Sequence, residues 1–200
     1  MAEEPRTAVA SEGTAESETL AIGGECTDDV EQVVELGAER FVLRALRPDD
    51  RRAYAKFIAR IDESDLRRRF VRAGDAAPES DLTRYTQLDR SREAAFVAVR
   101  QSGPASGEIA GEVHAYRYPE TATAELAIIV RSDMKGRGLG SVLMRGMIEY
   151  CRAAGLELIA RIRRDNTAMI RLARQCGMEV EYAPGSSLAI AYIGRKTRAQ

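Results

Sequence analysis

The sequence predicts a mixed α/β domain, and three patterns carry that reading. Between Arg92 and Arg131, short apolar segments alternate with polar positions or run continuously between turn residues, as strands do. Residues 141–155 and 166–177 place apolar side chains three and four positions apart, as amphipathic helices do. Between the last of those strands and the first of those helices stands a glycine-rich run, Lys135, Gly136, Arg137, Gly138, Leu139, Gly140.

The elements follow in chain order. Residues 1–26 are rich in Ala, Glu, Thr, Ser and Gly. That composition cannot bury enough surface to offset its ordering entropy, so a disordered acidic tail is expected. In TDDVEQVVELG, Thr27 as N-cap, the first-turn acids, apolar Val30, Val33 and Val34, and a stopping Gly37 suggest a short helix, so residues 27–39 read as a short helix or linker. A domain over 40–200 then opens with RFVLRALRP, where Phe41 and Leu43 alternate with other residues as in a half-buried strand. DDRRAYAKFIARI spaces Tyr54, Phe57, Ile58 and Ile61 helically, ESDLRRRFV follows, and ESDLTRYTQL after Pro78 opens as helix first turns do. EAAFVAVRQ and EIAGEVHAYRY flank SGPASG and predict a β-hairpin. AELAIIVR is continuously apolar and reads as a central strand. The long helix SVLMRGMIEYCRAAG, the strand LELIARIRR, the helix NTAMIRLARQCG and an antiparallel pair around Pro184 and Gly185 complete the chain.

Composition narrows the function classes. With 200 residues, 44% hydrophobic and 30% charged, the chain can bury a sizeable core as one domain with an appendage. No apolar run approaches the roughly 18–20 residues of a membrane span, and the N-terminus lacks a secretory signal, so a cytoplasmic protein without membrane partners is expected. Cys26, Cys151 and Cys176 are odd in number and form no Cys-x-x-Cys pair, which indicates neither a disulfide framework nor a zinc site. His114 is the sole histidine, so a multi-histidine metal site is excluded and no metal is expected. Residues 1–39 hold eleven acids against Arg6, and the remainder carries nine excess positive charges. A basic body suits a polyanionic ligand such as CoA, nucleic acid or an acidic protein surface. Nucleic acid is disfavoured because no aromatic platform accompanies the basic residues.

The glycine run decides more. Glycines let backbone approach a ligand closely, and the first turn of the following helix offers N–H groups and a positive dipole end, which together suit phosphate. The run matches neither the P-loop nor the dinucleotide fingerprint. Taken alone, its six residues fit either an anion site or a tight turn with close helix packing.

The stretch AELAIIVRSDMKGRGLGSVLMRGMIEYCRAAGLELIARIRRDNTAMIRLARQCGM resembles, along its whole length, the acetyl-CoA-binding half of the GNAT superfamily. That family's pattern is Arg or Gln, two residues, Gly, one residue, then Gly or Ala, and this chain departs from it with Lys135 in the first position. The resemblance implies a twisted, mixed, mostly antiparallel sheet of about six or seven strands flanked by helices. It also implies that acetyl-CoA, as cosubstrate, contacts Ile128, Ile129, Val130, Lys135, Gly136, Arg137, Gly138, Leu139, Gly140, Ser141 and Asn166. In the family the strand at Leu126 to Val130 splays from its neighbour, here Leu158 to Ile162, and pantetheine adds to it like a further strand. Asn166 also suits a helix N-cap.

Amine acetylation needs a neutral amine, hence a base for an ammonium whose pKa is near 10. Many family members carry a glutamate at the start of the strand before the glycine turn, and Glu125 stands there, with Glu120 and Glu112 in reserve. The tyrosine that often protonates the CoA thiolate corresponds here to Ala173, leaving water or another residue such as Tyr150 or Tyr182.

LRALRPDDRRAYAKFI, DESDLRRRFV, SREAAFVAV and AELAIIVRSDMKGRGLG further resemble the GNAT domain of bacterial Pat-type protein lysine acetyltransferases, over about residues 40–193. Those enzymes acetylate a lysine of AMP-forming acyl-CoA synthetases and switch them off, so a synthetase is the expected protein partner. Arg67, Arg68, Arg69 and Arg72 are candidates for a docking face. The alternatives are a small-molecule amine acetyltransferase and a non-catalytic acyl-CoA sensor.

Overall fold

A computed structural model describes residues 31–69 and 86–194. The expected tail over 1–26, Cys26, Arg72 and most of the helix expected after Pro78 lie outside the described residues, as do the side chains of Arg68 and Arg69. Among the described residues eight strands form one sheet: β1 (Glu31–Leu36), β2 (Glu39–Ala45), β3 (Glu93–Arg100), β4 (Ile109–Arg117), β5 (Thr123–Val130), β6 (Glu157–Arg163), β7 (Glu179–Tyr182) and β8 (Leu188–Ile193). Their order is β1-β2-β3-β4-β5-β6-β8-β7. The β5–β6 pair is parallel and the others are antiparallel. Four α-helices lie among the described residues: α1 (Arg51–Ile58), α2 (Glu63–Arg69), α3 (Leu139–Ala153) and α4 (Thr167–Gln175).

The sheet exceeds the expected six or seven strands because residues 31–36, suggested above as helical, form the edge strand β1 instead. Val33 and Val34 face opposite sides of this strand, with Val33 left exposed. Gly37, which reads from sequence as a helix stop, supplies the positive φ of the hairpin turn into β2.

Strand alternation sends two apolar sets to opposite faces. On one face Leu143, Met144, Met147 and Ile148 of α3 and Ile170 and Ala173 of α4 pack on Phe41, Leu43, Phe96, Leu126 and Leu158. On the other, Tyr54 and Phe57 of α1 with Ile61 pack on Ala95, Val97, Ile109 and Ile129. Burying each such large side chain contributes about 1.5–3 kcal/mol, which is why the helices adhere to both faces. Cys151 lies in the first core, and burial pushes its thiol up to about 12, as suits an inert packed residue. The entry to α1 is fixed by Asp50, which takes two 2.7 Å bonds from Arg44 and one of 2.8 Å from the Arg47 N–H.

Candidate active site

The site begins where β5 and β6 part. Their pairing covers Thr123–Glu157, Ala124–Leu158 and Glu125–Ile159 and then stops, while β5 stays bonded to β4 and β6 to β8. A slot therefore opens between residues 126–130 and the far half of β6, with main-chain groups on its walls that no described strand pairs with. Leu158 and Ile159, both expected within the splayed part, are still paired, so the parting begins beyond Ile159. Along β5, Leu126 and Ile128 point to the α3 face. By alternation Glu125, Ala127 and Ile129 point to the α1 face, and Ile129 is buried there.

At the open end of the slot, Arg131 fixes the chain. Its side chain, 5% exposed, bonds Asp133 at 2.6 Å and Glu108 at 2.7 Å. Burial opposes its charge, but these two carboxylates outweigh that and raise its pKa. The glycine turn follows. Gly136 and Gly138 have φ of 74° and 89°, the left-handed region that favours glycine, and Gly138 is the N-cap of α3. Gly140 is small for a different reason, since a Cβ there would sit 3.3 Å from Leu172 of α4. Both readings of the glycine run therefore apply, at different positions. Ser141 and Val142 form the first helical bonds back to the Gly138 carbonyl, so the positive end of a 15-residue helix lies at this turn.

Side chains of the turn are held by other elements. Lys135 is ion-paired with Asp65 of α2, and Ser132 accepts the N–H of Asp62, the residue before that helix, at 3.1 Å. Arg137 pairs at 2.9 Å with Glu39, which also holds Arg100. Asn166 accepts the Met169 N–H at 3.2 Å, so it caps α4. Ile128 and Val130 are half-buried, and Ile129 is fully buried against α1.

Glu125 stands on the last paired rung, its side chain 18% exposed. Tyr118 donates its hydroxyl to the Glu125 carboxylate. Arg161, from across the parting, donates to both that carboxylate and, at 2.6 Å, the Tyr118 oxygen. The bond to Tyr118 and the charge of Glu125 raise the Arg161 pKa despite some burial. The reserve carboxylates are elsewhere. Glu112 is buried on the α1 face and accepts the Tyr54 hydroxyl at 3.1 Å, and Glu120 is exposed in the β4–β5 turn. Ala173 is buried in the core. Tyr150 packs edge-on against Phe96 on the α3 face, and Tyr182 lies on β7, beyond β8. Neither of these tyrosines joins Glu125.

Sequence reasoning missed Tyr118 and Arg161. Alternation along β6 puts Ile159 and Arg161 on the same face as Glu125, but the parallel register that aligns them is a tertiary fact. Among the described residues no group of three or more His, Cys, Asp or Glu is arranged to hold a metal, and no helix is long and apolar enough to cross a membrane.

Residues 40–179 match the family described as Acetyltransferase (GNAT) domain. A 59-residue segment is 42% identical to the L-methionine sulfoximine/L-methionine sulfone acetyltransferases of Pseudomonas paraeruginosa and Pseudomonas aeruginosa; the match spans 29% of this chain and 34% of theirs. Among solved structures, the GNAT domain of S. lividans PAT superposes with a TM-score of 0.71 at 19% identity, covering 82% of this chain and 96% of that one. RimJ of Mycobacterium smegmatis, solved in complex with CoA-disulfide, gives a TM-score of 0.64 at 17% identity, covering 84% and 88%.

Proposed function

This chain belongs to the GNAT acetyltransferase family, and from that premise we propose that it transfers the acetyl group of acetyl-CoA to a primary amine, with Glu125 as general base. The observation that carries this reading is the parting of β5 from β6 immediately after Glu125, with the glycine turn at the open end of the slot.

The diphosphate of acetyl-CoA is assigned to the amides of Gly136 to Ser141 at the α3 N-terminus, and the pantetheine to the unpaired main chain of residues 126–130. Glu125 takes one proton from the acceptor ammonium, directly or through water. The freed lone pair attacks the acetyl carbonyl carbon, the nitrogen loses its second proton, and the C–S electron pair leaves on sulfur. Ammonium and thioester thus become amide, CoA thiol and one released proton. Because thiol pKa values are near 8.5, water suffices to protonate the departing thiolate, and the missing hydroxyl at Ala173 is no obstacle.

A lysine side chain of an AMP-forming acyl-CoA synthetase is the acceptor that the Pat-type resemblance of the sequence supports. A free amino acid is the second reading, favoured by the segment shared with the methionine sulfone acetyltransferases. Labelled acetyl transfer, run side by side on purified synthetases, α-amino acids and polyamines, tests both. Acetyl-CoA-dependent label on an amine is expected, and no label on any class contradicts the proposal.

A further inference from the structure

Arg161 occupies an unusual place for a cation. It lies on β6 two residues past the last rung shared with β5, so its bonds to Glu125 and Tyr118 cross the gap where the strands have separated. Its guanidinium also lies 5.8 Å from the centre of the Tyr118 ring. Glu125 and Arg161 both belong to the α1-side face, away from α3 and α4. The Arg161 side chain is 37% exposed, so a molecule arriving from solvent can reach it.

The proposed reaction makes this contact consequential. A guanidinium seated on the Glu125 carboxylate occupies oxygen lone pairs that the acceptor ammonium needs for its own approach. The acceptor ammonium must also approach Glu125 with a cation already bound there. A second cation alone is repelled, whereas an acceptor that brings a carboxylate beside its ammonium matches both charges at once, ammonium to Glu125 and carboxylate to Arg161. The planar guanidinium fork suits such a carboxylate. Arg163, two residues further along the same face and 52% exposed, adds positive charge on that side, although Asp165 pairs with it at 2.9 Å. The arrangement therefore selects against polyamines, which carry a second positive charge where a negative one is needed.

We propose that Arg161 is an acceptor-recognition residue: it exchanges Glu125 for a carboxylate carried close to the reacting amine, which anchors the acceptor and releases Glu125 to take the ammonium proton. This inference rests on the amine-transfer reading above. The recognised chemistry is a carboxylate near a primary amine. It has two sources, the α-carboxylate of a free amino acid or an acidic side chain beside a lysine in a protein.

The test uses the full chain with acetyl-CoA and two acceptor pairs. One pair is L-methionine sulfone and its carboxamide; the other is a peptide whose lysine is flanked by glutamates and the same peptide with glutamines. Each is assayed with the parent, Arg161→Gln and Arg161→Lys, and acetyl-CoA affinity is measured by calorimetry for all three. The parent is expected to favour the carboxylate member of one pair by about tenfold or more in kcat/KM, and the pair concerned identifies the source. Arg161→Gln should bring that ratio close to one through KM, Arg161→Lys should restore part of it, and acetyl-CoA affinity should not change. Absence of discrimination in both pairs overturns the inference. So does a ratio that survives Arg161→Gln, or an equal rise in kcat on both members, which would make Arg161 merely a charge partner of Glu125. If acetyl-CoA binds yet no acceptor of either pair is acetylated, while synthetases or polyamines are, the recognition inference falls and the transferase reading stands. If no amine of any class is acetylated, both fall.

Discussion

The Asp65 carboxylate of α2 holds the Lys135 ammonium at the first position of the glycine turn. One of the two positive charges of the glycine turn, the other being Arg137, is thus partly neutralised by a helix on the opposite, α1-side layer. Asp65→Asn should free Lys135 for phosphate and tighten acetyl-CoA binding about three- to tenfold at low salt, the scale of a partly exposed ion pair. The gain should shrink as salt screens the charges. Calorimetry at two ionic strengths reads this, and an unchanged affinity at low salt contradicts it.

Gly138 is predicted to serve both as a left-handed N-cap and as a close approach for the diphosphate. Gly138→Ala should cost about 1–2 kcal/mol of stability from backbone strain, since the space itself is adequate, with Leu36 Cδ2 3.5 Å from where the alanine Cβ would sit. Gly138→Asp should destabilise similarly and in addition abolish acetyl-CoA binding, because its charge opposes the phosphates. Denaturant melts paired with calorimetry separate the two effects. Affinity equal to the parent's in both variants would remove the diphosphate from this turn.

The Arg44–Asp50 pair gives a pH prediction for stability. Burial pushes the Asp50 pKa up, but the Arg44 hydrogen bonds, the Arg47 N–H and both positive charges outweigh it, leaving the pKa below its ordinary value. A depressed carboxylate contributes stability that is complete above the unfolded pKa, about 3.9, and is lost as pH falls through the folded value. Asp50→Asn should therefore cost about 1–3 kcal/mol at pH 7 and lose less stability than the parent as pH falls below about 4. Melting both proteins between pH 7 and 3 checks it, and parallel pH curves would contradict it.

Much of this was legible in the sequence for a physical reason: β3 to β6, α3 and α4 carry periodic apolar patterns whose local preference agrees with their packing. β1 was misread because Val30, Val33 and Val34 fit a helical spacing as well as a strand's, and pairing with β2, a tertiary contact, decides between them. The glycine turn stood out by its position between a buried strand and a long helix, and Glu125 was singled out only through the family resemblance, at the head of that strand. Tyr118 and Arg161 were not, because no local pattern states that the β4–β5 hairpin and the parallel β6 bring those two side chains to one carboxylate.

Acetyl transfer by Glu125→Gln tests the central claim most directly. The variant keeps the size of the side chain but cannot accept a proton. With saturating acetyl-CoA and an accepted amine at neutral pH, kcat is predicted to fall on the order of 10²–10⁴-fold while acetyl-CoA binds as tightly as to the parent. A kcat close to the parent's, with binding intact, would contradict the assignment of Glu125 as the base.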